Sequence, residues 1–442
     1  MTSARTAAPP SRRPFAETVR TRALGNGARF FVLENRFNPT VALSGSLKAG
    51  RLYAPPDRRL LATIAAGELM KGTRRRTKMQ LAEDLESRAA SLSFSSDASD
   101  PVGVDVSGAA LSRDTDLLLD TLAEVLRTPV FPADELEKEK KRLIGSIRQQ
   151  QEQTSLRAYE TAMRRIYPAS HPLHRLTGEE RIARVEALER SALEDFYRRR
   201  YGARSLTLVV VGDVDGEKVL DRLEANLGSW ESGPDTDVPL PAAPPAAPGT
   251  DTVRLADKAN ADVVLAQPAD LARTDPDFLA CSLANAALGQ SSLTSRLGVR
   301  VRDTEGLTYG IHSSFSATHV AGPFAVSLTV KPESREAALA ATLDELRKYV
   351  AGGMTDKELA EEKSSRIGRF KVDLGSNAGI AQALDAAIYY GFGVAYLDEF
   401  PGKVAAITRE QADAAFARRV DPDAFTIVSA GTFGALPDPD ET

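Results

Sequence analysis

The sequence is poor in cysteine and carries few catalytic signatures, which narrows the chemistry it can support. Its 442 residues include a single cysteine, Cys281, so an intrachain disulfide, an all-cysteine zinc site and an iron–sulfur cluster are excluded. Cys281 lies in the apolar stretch 278–283, and this setting predicts a buried, unreactive thiol. No G-x-S-x-G elbow and no glycine-rich phosphate loop is present. The residues by themselves therefore indicate no autonomous hydrolase.

Long hydrophobic runs and an excess of basic residues are also absent. No apolar run reaches the roughly 18 residues of a membrane span, and residues 1–14 lack the apolar core of a secretory signal. We therefore expect a cytoplasmic protein with no membrane span, or a periplasmic one if a leader was removed. Lysine and arginine total 56 against 61 aspartates and glutamates, a net charge of −5, which argues against a nucleic-acid partner.

The four histidines offer little for a metal site. His171 and His174 stand in a His-Pro-Leu-His run, but the proline between them disrupts a regular helical face. No nearby acid or cysteine completes a ligand set, so a role in a loop is the simpler interpretation. A homodimeric metalloenzyme that uses His171 and His174 is kept as an alternative, to be abandoned if the pure chain holds no stoichiometric zinc.

Composition divides the chain into two parts of similar size. Residues 1–15 have the composition of a disordered tail. Residues 232–250 (SGPDTDVPLPAAPPAAPGT) are rich in proline and alanine, as in an extended linker. The predicted domains are thus an N-terminal unit at 16–231 and a C-terminal unit at 251–442.

The two units resemble each other. Residues 135–145 (ELEKEKKRLIG) and 358–368 (ELAEEKSSRIG) agree at six of eleven positions, and each opens a charged helical pattern. Each unit also closes on an apolar strand, at 206–212 and at 425–431. Within a unit, strands group with strands and helices with helices. The predicted fold class is α+β, with two homologous units, each a mostly antiparallel sheet packed with helices.

The second unit carries a longer motif. Residues 288–297 (LGQSSLTSRL) are followed by 302–310 (RDTEGLTYG), which places Arg302 and Tyr309 seven positions apart. From the residues alone, Arg302 is interpreted as a solvated helix-end charge and Tyr309 as a half-buried strand aromatic. The motif resembles that of the pitrilysin/insulinase-type zinc peptidases, a family that includes the mitochondrial processing peptidase. Further matches, such as Lys71-Gly-Thr, extend the resemblance over nearly the whole chain.

The same resemblance locates where a zinc site would lie. Catalytic members of the family resemble one another in an inverted H-x-x-E-H helix motif before the Lys-Gly-Thr, whose histidines bind zinc and whose glutamate activates water. Counted back from Lys71, those positions hold Thr63, Ala66 and Gly67. The region of the third ligand, 143–147, holds no carboxylate. The resemblance thus implies a degenerate zinc site and no cofactor in this chain.

The resemblance also implies a shared active site. In the family, one half or subunit carries zinc, and a second presents the arginine–tyrosine pair across a closed chamber. We therefore expect a non-catalytic subunit of a heterodimeric zinc metallopeptidase, inactive alone, with Arg302 and Tyr309 acting in trans. The expected partners are a homologous H-x-x-E-H subunit that supplies the zinc, and peptide substrates bound at a sheet edge. The alternative is a non-proteolytic scaffold subunit of the same fold.

Overall fold

The computed structural model describes residues 13–96 and 100–433. Its strands are, in chain order, β1 (Arg20–Ala23), β2 (Arg29–Glu34), β3 (Thr40–Leu47), β4 (Ser91–Ser95), β5 (Val104–Leu111), β6 (Leu206–Gly212), β7 (Gly249–Arg254), β8 (Ala261–Leu271), β9 (Gly310–Phe315), β10 (Gly322–Val330) and β11 (Thr426–Gly431). They form one sheet in each half of the chain.

The helices connect and cover these strands. They are α1 (Phe15–Thr18), α2 (Leu60–Glu68), α3 (Lys78–Glu86), α4 (Thr115–Arg127), α5 (Ala133–Gln151), α6 (Thr154–Ile166), α7 (Gly178–Glu186), α8 (Arg190–Arg200), α9 (Gly216–Leu227), α10 (Phe278–Asn285), α11 (Arg335–Gly352), α12 (Asp356–Asp373), α13 (Asn377–Tyr389), α14 (Tyr396–Ala406) and α15 (Arg409–Arg419). Two π-helical turns, Ala286–Gln290 and Gly298–Thr304, follow α10.

The two sheets share one topology. The first has the strand order β1-β2-β6-β3-β5-β4 and the second has the order β7-β11-β8-β10-β9. When β1 is set aside, the orders correspond strand for strand. In each sheet the entering strand runs parallel to the closing strand, as β2 does to β6 and β7 to β11, and the other pairs are antiparallel. The predicted α+β fold with two mostly antiparallel units is therefore confirmed.

In each unit, several helices pack on one face of that unit's own sheet. Helix α4 shows why these residues form a helix, because its buried side chains recur every three or four positions. Leu118, Leu122 and Val125 lie on this face and join the core of the first sheet. In the second unit, Phe416 of α15 packs in the same way against Phe324 of β10, with ring centroids 5.6 Å apart.

The opposite face of each sheet is covered by a helix from the other unit. Helix α6 packs on β8 and β11, and helix α13 packs on β3 and β6. This exchange explains the continuous apolar run of β6, which is buried at every position, whereas β4 at the sheet edge alternates between exposed and buried residues. The two units therefore pack as one body, because each sheet has its second face covered by a helix of the other unit.

Polar contacts fix the start of each exchanged helix. The Thr154 hydroxyl donates to Asp262 at 2.5 Å, from α6 to β8. In the other direction, the Asn377 side-chain amide of α13 donates to the Thr40 carbonyl of β3 at 3.0 Å. These bonds satisfy polar groups that the apolar packing would otherwise bury unpaired.

Regular structure includes the last residue of the predicted tail and the last two residues of the predicted linker. Residues 1–12 lie outside the described residues, but Phe15, at the end of the predicted tail, is buried, and its N–H donates to the Asp398 carboxylate at 3.0 Å. The predicted linker ends earlier as well, because its last two residues belong to β7. Within the part of the chain that the structure describes, no helix is long and apolar enough to cross a membrane.

Candidate functional site

Helix α2 presents the three positions of the degenerate zinc motif. Thr63 is partly exposed, Ala66 is buried and Gly67 is exposed. A side chain added at Gly67 would meet open space, since no heavy atom lies within 4 Å of its ideal Cβ position. The backbone thus leaves room for a larger residue at Gly67, but the three side chains present a hydroxyl, a methyl group and a hydrogen. They do not fit a zinc ion.

Glu68, the next residue of α2, is the unusual group of this region. It is fully buried, and among the described residues neither carboxylate oxygen has a hydrogen-bond partner. Burial raises the pKa of Glu68 to about 7, an effect opposed by Lys71 and reinforced by Glu139 and Glu135. A carboxyl group in such a setting is neutral over much of the pH range. One carboxyl group cannot replace the missing ligand set.

The acids of the facing helix α5 are already engaged. Glu135 binds both Lys78 and Lys138 at 2.7 Å, which holds the pKa of its carboxyl group down to about 2. Glu139 pairs with Arg142. In residues 13–96 and 100–433, no group of three or more His, Cys, Asp or Glu side chains could hold a metal ion. The residues present therefore do not fit the zinc that the family resemblance would place here.

His171 and His174 make contacts within their own turn of the chain. His171 is buried and stacks on Tyr167 with ring centroids 4.5 Å apart, and its Nδ1 accepts a bond from the Leu173 N–H. Burial lowers the pKa of His171 to about 4. His174 bonds through Nδ1 to the Tyr167 carbonyl at 2.7 Å. Each ring thus has a structural partner, and the alternative of a metal bound by this pair has no support in the geometry.

Arg302 and Tyr309 lie in one surface segment of the second unit. Arg302 belongs to the π-helical turn Gly298–Thr304, and its guanidinium contacts the carboxylate of its neighbour Asp303 at 3.2 Å. Tyr309 directly precedes β9, where its N–H donates to the Thr329 carbonyl at 3.0 Å. Its side chain is 59% exposed, and its hydroxyl makes no hydrogen bond to the described residues. The interpretation of Tyr309 as a half-buried aromatic is therefore wrong.

Two nearby arginines, unlike Arg302, form ion pairs with distant helices. The Arg296 guanidinium donates two hydrogen bonds of 2.7 Å to the Glu358 carboxylate of α12, and Arg300 forms an ion pair with Asp344 of α11 at 2.5 Å. Both anchor the segment to neighbouring helices. Arg302 makes no such long-range ion pair with the described residues, so its guanidinium remains available to a ligand.

The structure does not join Arg302 and Tyr309 to the α2 positions. Thr63 and Gly67 lie in the first unit, and no hydrogen bond or ion pair in the described part of the chain connects them to the arginine–tyrosine segment. The segment is flanked instead by exposed apolar side chains, with Leu293 exposed by 61% and Val299 by 46%.

The outer edges of the two sheets differ in a way that sequence analysis did not find. Along β9, the Ile311 carbonyl accepts from the Ser292 hydroxyl at 2.7 Å and the Ser313 carbonyl accepts from the Asn285 amide at 3.0 Å. These bonds close that edge. Along β4 of the first sheet, no side chain of the described residues bonds to the strand's backbone. Among the described residues, edge β4 is therefore the open one of these two.

Comparison with known proteins agrees with this architecture. Residues 30–175 match the family model described as insulinase (peptidase family M16), and residues 187–366 match the model described as the peptidase M16 inactive domain. The chain belongs to peptidase family M16. The first stretch lies within the first unit of the fold, and the second stretch covers much of the second unit. The second model also reaches back into α8 and β6 of the first unit, because it begins at residue 187.

Relatives of this M16 chain carry names of both active and inactive proteins. It is 35% identical over 185 residues to an uncharacterised zinc protease of Streptomyces coelicolor, a match that spans 40% of this chain and 39% of that protein. It is 22% identical to the non-peptidase homolog YmxG of Helicobacter pylori, over 76% of each chain. Among solved structures, a peptidase M16 inactive domain from Pseudomonas fluorescens superposes with a TM-score of 0.86 at 26% identity, covering 95% of this chain and 99% of that one.

Proposed function

We propose that this chain is the non-catalytic subunit of a heterodimeric zinc metalloendopeptidase, whose active site it completes in trans. The observation that carries the proposal is the exposed Tyr309 side chain, which stands in one segment with the largely uncommitted Arg302. In the first unit, by contrast, Thr63, Ala66 and Gly67 offer no zinc ligands. The chain thus retains one part of a peptidase site and lacks the other.

The chemistry of the pair suits the charge that develops during peptide hydrolysis. A phenol hydroxyl can donate to the oxyanion of a tetrahedral intermediate, and loss of one such donor typically costs about 10²–10³-fold in rate. A guanidinium fork holds a carbonyl or carboxylate with directed, charge-assisted bonds. In this proposal the zinc and its water belong to the partner, while Arg302 and Tyr309 bind and orient the substrate.

The open edge β4 supports a role in peptide binding. An extended peptide can add to a free strand edge through main-chain hydrogen bonds. In this chain β4 lies beside α2, whereas the corresponding edge of the second sheet, β9, is closed by Ser292 and Asn285. The first unit therefore offers the surface along which a peptide would align, and the second unit offers the polar pair.

The expected partner is a homologous subunit that carries H-x-x-E-H. Membership of family M16, together with the zinc-protease names among its relatives, supports a partner of this kind. The name of the relative YmxG, a non-peptidase homolog, keeps open a second function, a non-proteolytic scaffold of the same fold. The same first experiment distinguishes the two.

The test begins with affinity purification of the tagged chain from its native cells, followed by mass spectrometry. We expect a near-stoichiometric partner with H-x-x-E-H, and peptide hydrolysis by the assembled pair. Tyr309→Phe in that pair is expected to lower kcat by about 10²-fold with little change in KM. Tyr159→Phe, which removes a hydroxyl elsewhere, serves as the matched control. An unchanged rate for Tyr309→Phe would refute the catalytic role, and a chain that purifies alone would favour the scaffold.

A further inference from the structure

Two arginines of the second unit have no carboxylate partner among the described residues, and both side chains reach helix α10, one at Phe278 and the other one turn later at Ser282. Arg273 follows β8 and is held by its N–H, which donates to the Thr318 carbonyl at 2.7 Å. Arg366 lies on α12, and its side chain reaches the Ser282 carbonyl of α10 at 3.4 Å. Among the described residues, neither guanidinium has a carboxylate within 4 Å. The two side chains are 93 positions apart in the sequence, so only the fold brings them together.

The pairing of other arginines in the same unit makes this pair exceptional. Partly buried Arg296 binds Glu358 through two bonds of 2.7 Å, and Arg419 binds Asp275 at 2.7 Å and Asp277 at 3.3 Å. A charge withdrawn from water normally has such a partner, because desolvation of an unpaired ion is costly. Two partly buried guanidinium groups without one indicate that the partner is supplied from outside the described residues.

The surrounding charges leave this site positive. Burial lowers the pKa of Arg273, and burial together with the charge of Arg273 lowers that of Arg366. Arg369 adds a further positive charge beside Arg366. The acid that opposes Arg366 and Arg369 is Glu362, whose own pKa is raised by burial, and no ion pair in the described residues joins it to Arg366 or to Arg273. An anion would therefore be attracted to this position.

Aromatic rings form the wall of the site. The Arg273 guanidinium lies 4.1 Å from the centroid of the Phe278 ring and 5.8 Å from that of Tyr390, so its face is held by cation–π contacts while its edge stays free to donate. Phe392 stacks on Tyr396 with centroids 4.6 Å apart. Burial raises the pKa of Tyr396, and the charges of Arg273 and Arg366 oppose the rise.

The duplicated fold relates Arg366 to a position in the first unit. Helices α10 and α12 of the second unit correspond to α2 and α5 of the first, and the match of 135–145 with 358–368 places Arg366 where the first unit has Leu143. Arg366 thus lies in the second unit at the place that corresponds to the third-ligand region of the degenerate zinc site in the first unit. The two units present different chemistry at equivalent positions.

We propose that Arg273 and Arg366 form a carboxylate-binding subsite, with Phe278, Tyr390 and Tyr396 as its apolar wall. Two guanidinium forks suit the two oxygens of one carboxylate, and the rings suit an apolar group attached to it. The carboxylate belongs to a peptide, either at its C-terminus or on an acidic side chain. That it belongs to a peptide rests on the proposed function, whereas carboxylate binding itself does not.

The test uses the isolated full-length chain and small probes in a calorimetric or ligand-observed NMR titration. N-Acetylphenylalanine supplies a terminal carboxylate beside a ring, and N-acetylglutamic acid α-amide supplies a side-chain carboxylate. N-Acetylphenylalanine amide is the uncharged control. We expect the first or the second probe to bind and the amide to bind at least tenfold more weakly, since a charge-assisted bond contributes about a factor of ten or more. The tighter of the two acids identifies the source of the carboxylate.

Three variants complete the experiment. Arg273→Gln and Arg366→Gln are each expected to weaken binding of the acid at least tenfold, and thermal unfolding would verify that both remain folded. Arg347→Gln, which removes an exposed arginine paired with Asp423, is expected to bind like the parent chain. Equal binding of acid and amide, insensitivity to both variants, or no binding of either acid would overturn the subsite. None of these results depends on a partner or on peptidase activity, so the subsite and the proposed function can fail separately.

Discussion

The carboxylate of Asp385 accepts a hydrogen bond of 3.1 Å from the hydroxyl of Ser44, and the two residues belong to different units. Asp385 lies on α13, the helix that the second unit places on the first sheet. Ser46, two residues along the same strand, donates a second bond at 3.4 Å. Burial raises the pKa of Asp385 to about 7, with a contribution from Asp105, and the two hydroxyls oppose the rise. The contact between units therefore contains a titratable group.

This contact predicts that stability falls as the pH rises. The pKa of Asp385 is about 7 in the folded chain against a usual value of 3.8, so the folded chain binds the proton more tightly. The stabilisation is complete below about pH 4 and is lost as the pH approaches 7, by up to about 4 kcal/mol. Asp385→Asn should flatten this dependence and raise the Tm at pH 8. Asp57→Asn, at an exposed position, is the control, and an unaltered pH profile for Asp385→Asn would contradict the prediction.

Replacing Glu68 is expected to stabilise the chain above neutral pH. Because both its oxygens are buried without partners, ionisation is costly, and its folded-state pKa of about 7 exceeds the usual 4.5. Its contribution to stability therefore also declines between about pH 4.5 and 7. Glu68→Gln should raise the free energy of unfolding at pH 8 by about 1–3 kcal/mol and change it little at pH 5. Denaturant titration at both pH values, with Glu86→Gln as the exposed control, would measure this; an equal effect at both values would disagree with it.

Gly67 should tolerate a side chain where Gly45 does not. In the helix α2, Gly67→Ala lowers the conformational entropy of the unfolded chain and meets open space, so we expect a gain of about 0.5–1 kcal/mol. At Gly45 of β3, an added Cβ would lie 2.6 Å from the Thr207 carbonyl and 2.8 Å from Leu208 Cδ1. Gly45→Ala should therefore destabilise the chain by at least about 1 kcal/mol. Thermal unfolding of the two variants in parallel gives the comparison, and loss of stability in Gly67→Ala would show that α2 is more crowded than described.

Cys281 is expected to be inert in the folded chain. It is fully buried, and burial raises the pKa of its thiol to about 12. Little thiolate exists at pH 8, and the sulfur is shielded from reagents. Iodoacetamide should therefore leave the native chain unmodified, as judged by intact mass, and should alkylate it fully in denaturant. Rapid alkylation without denaturant would mean that α10 opens readily, in which case the core of the second unit would be less stable than its packing implies.

Local sequence patterns were sufficient for the elements and their repetition. The apolar residues of 115–126 recur at the helical period, and α4 spans Thr115–Arg127. The matching segments 135–145 and 358–368 open α5 and α12 at equivalent places in the two units. These features are predictable because helix and strand periods depend on neighbours a few positions apart. The strand order of the second sheet then follows that of the first.

Other features depended on contacts between distant segments. The end of the predicted tail proved to be anchored, because Phe15 finds a partner in Asp398 almost the whole chain away. The availability of Tyr309 could not be derived from its spacing to Arg302, since exposure is decided by what packs around a residue. Nothing in the sequence around Ser292 and Asn285 indicated that these side chains would close the edge of β9.

The sequence by itself determined which side chains are available: no imidazole or carboxylate stands at Thr63, Ala66 or Gly67, and no arrangement of the backbone can supply one. Tertiary structure alone decided where charge is left without a partner. The exchange of α6 and α13 between the units places Asp385 against Ser44, and the packing of α10 and α12 brings Arg273 and Arg366 together. The functional group of a side chain is a property of that residue alone. Burial and pairing arise only when segments that are far apart in the chain pack against each other.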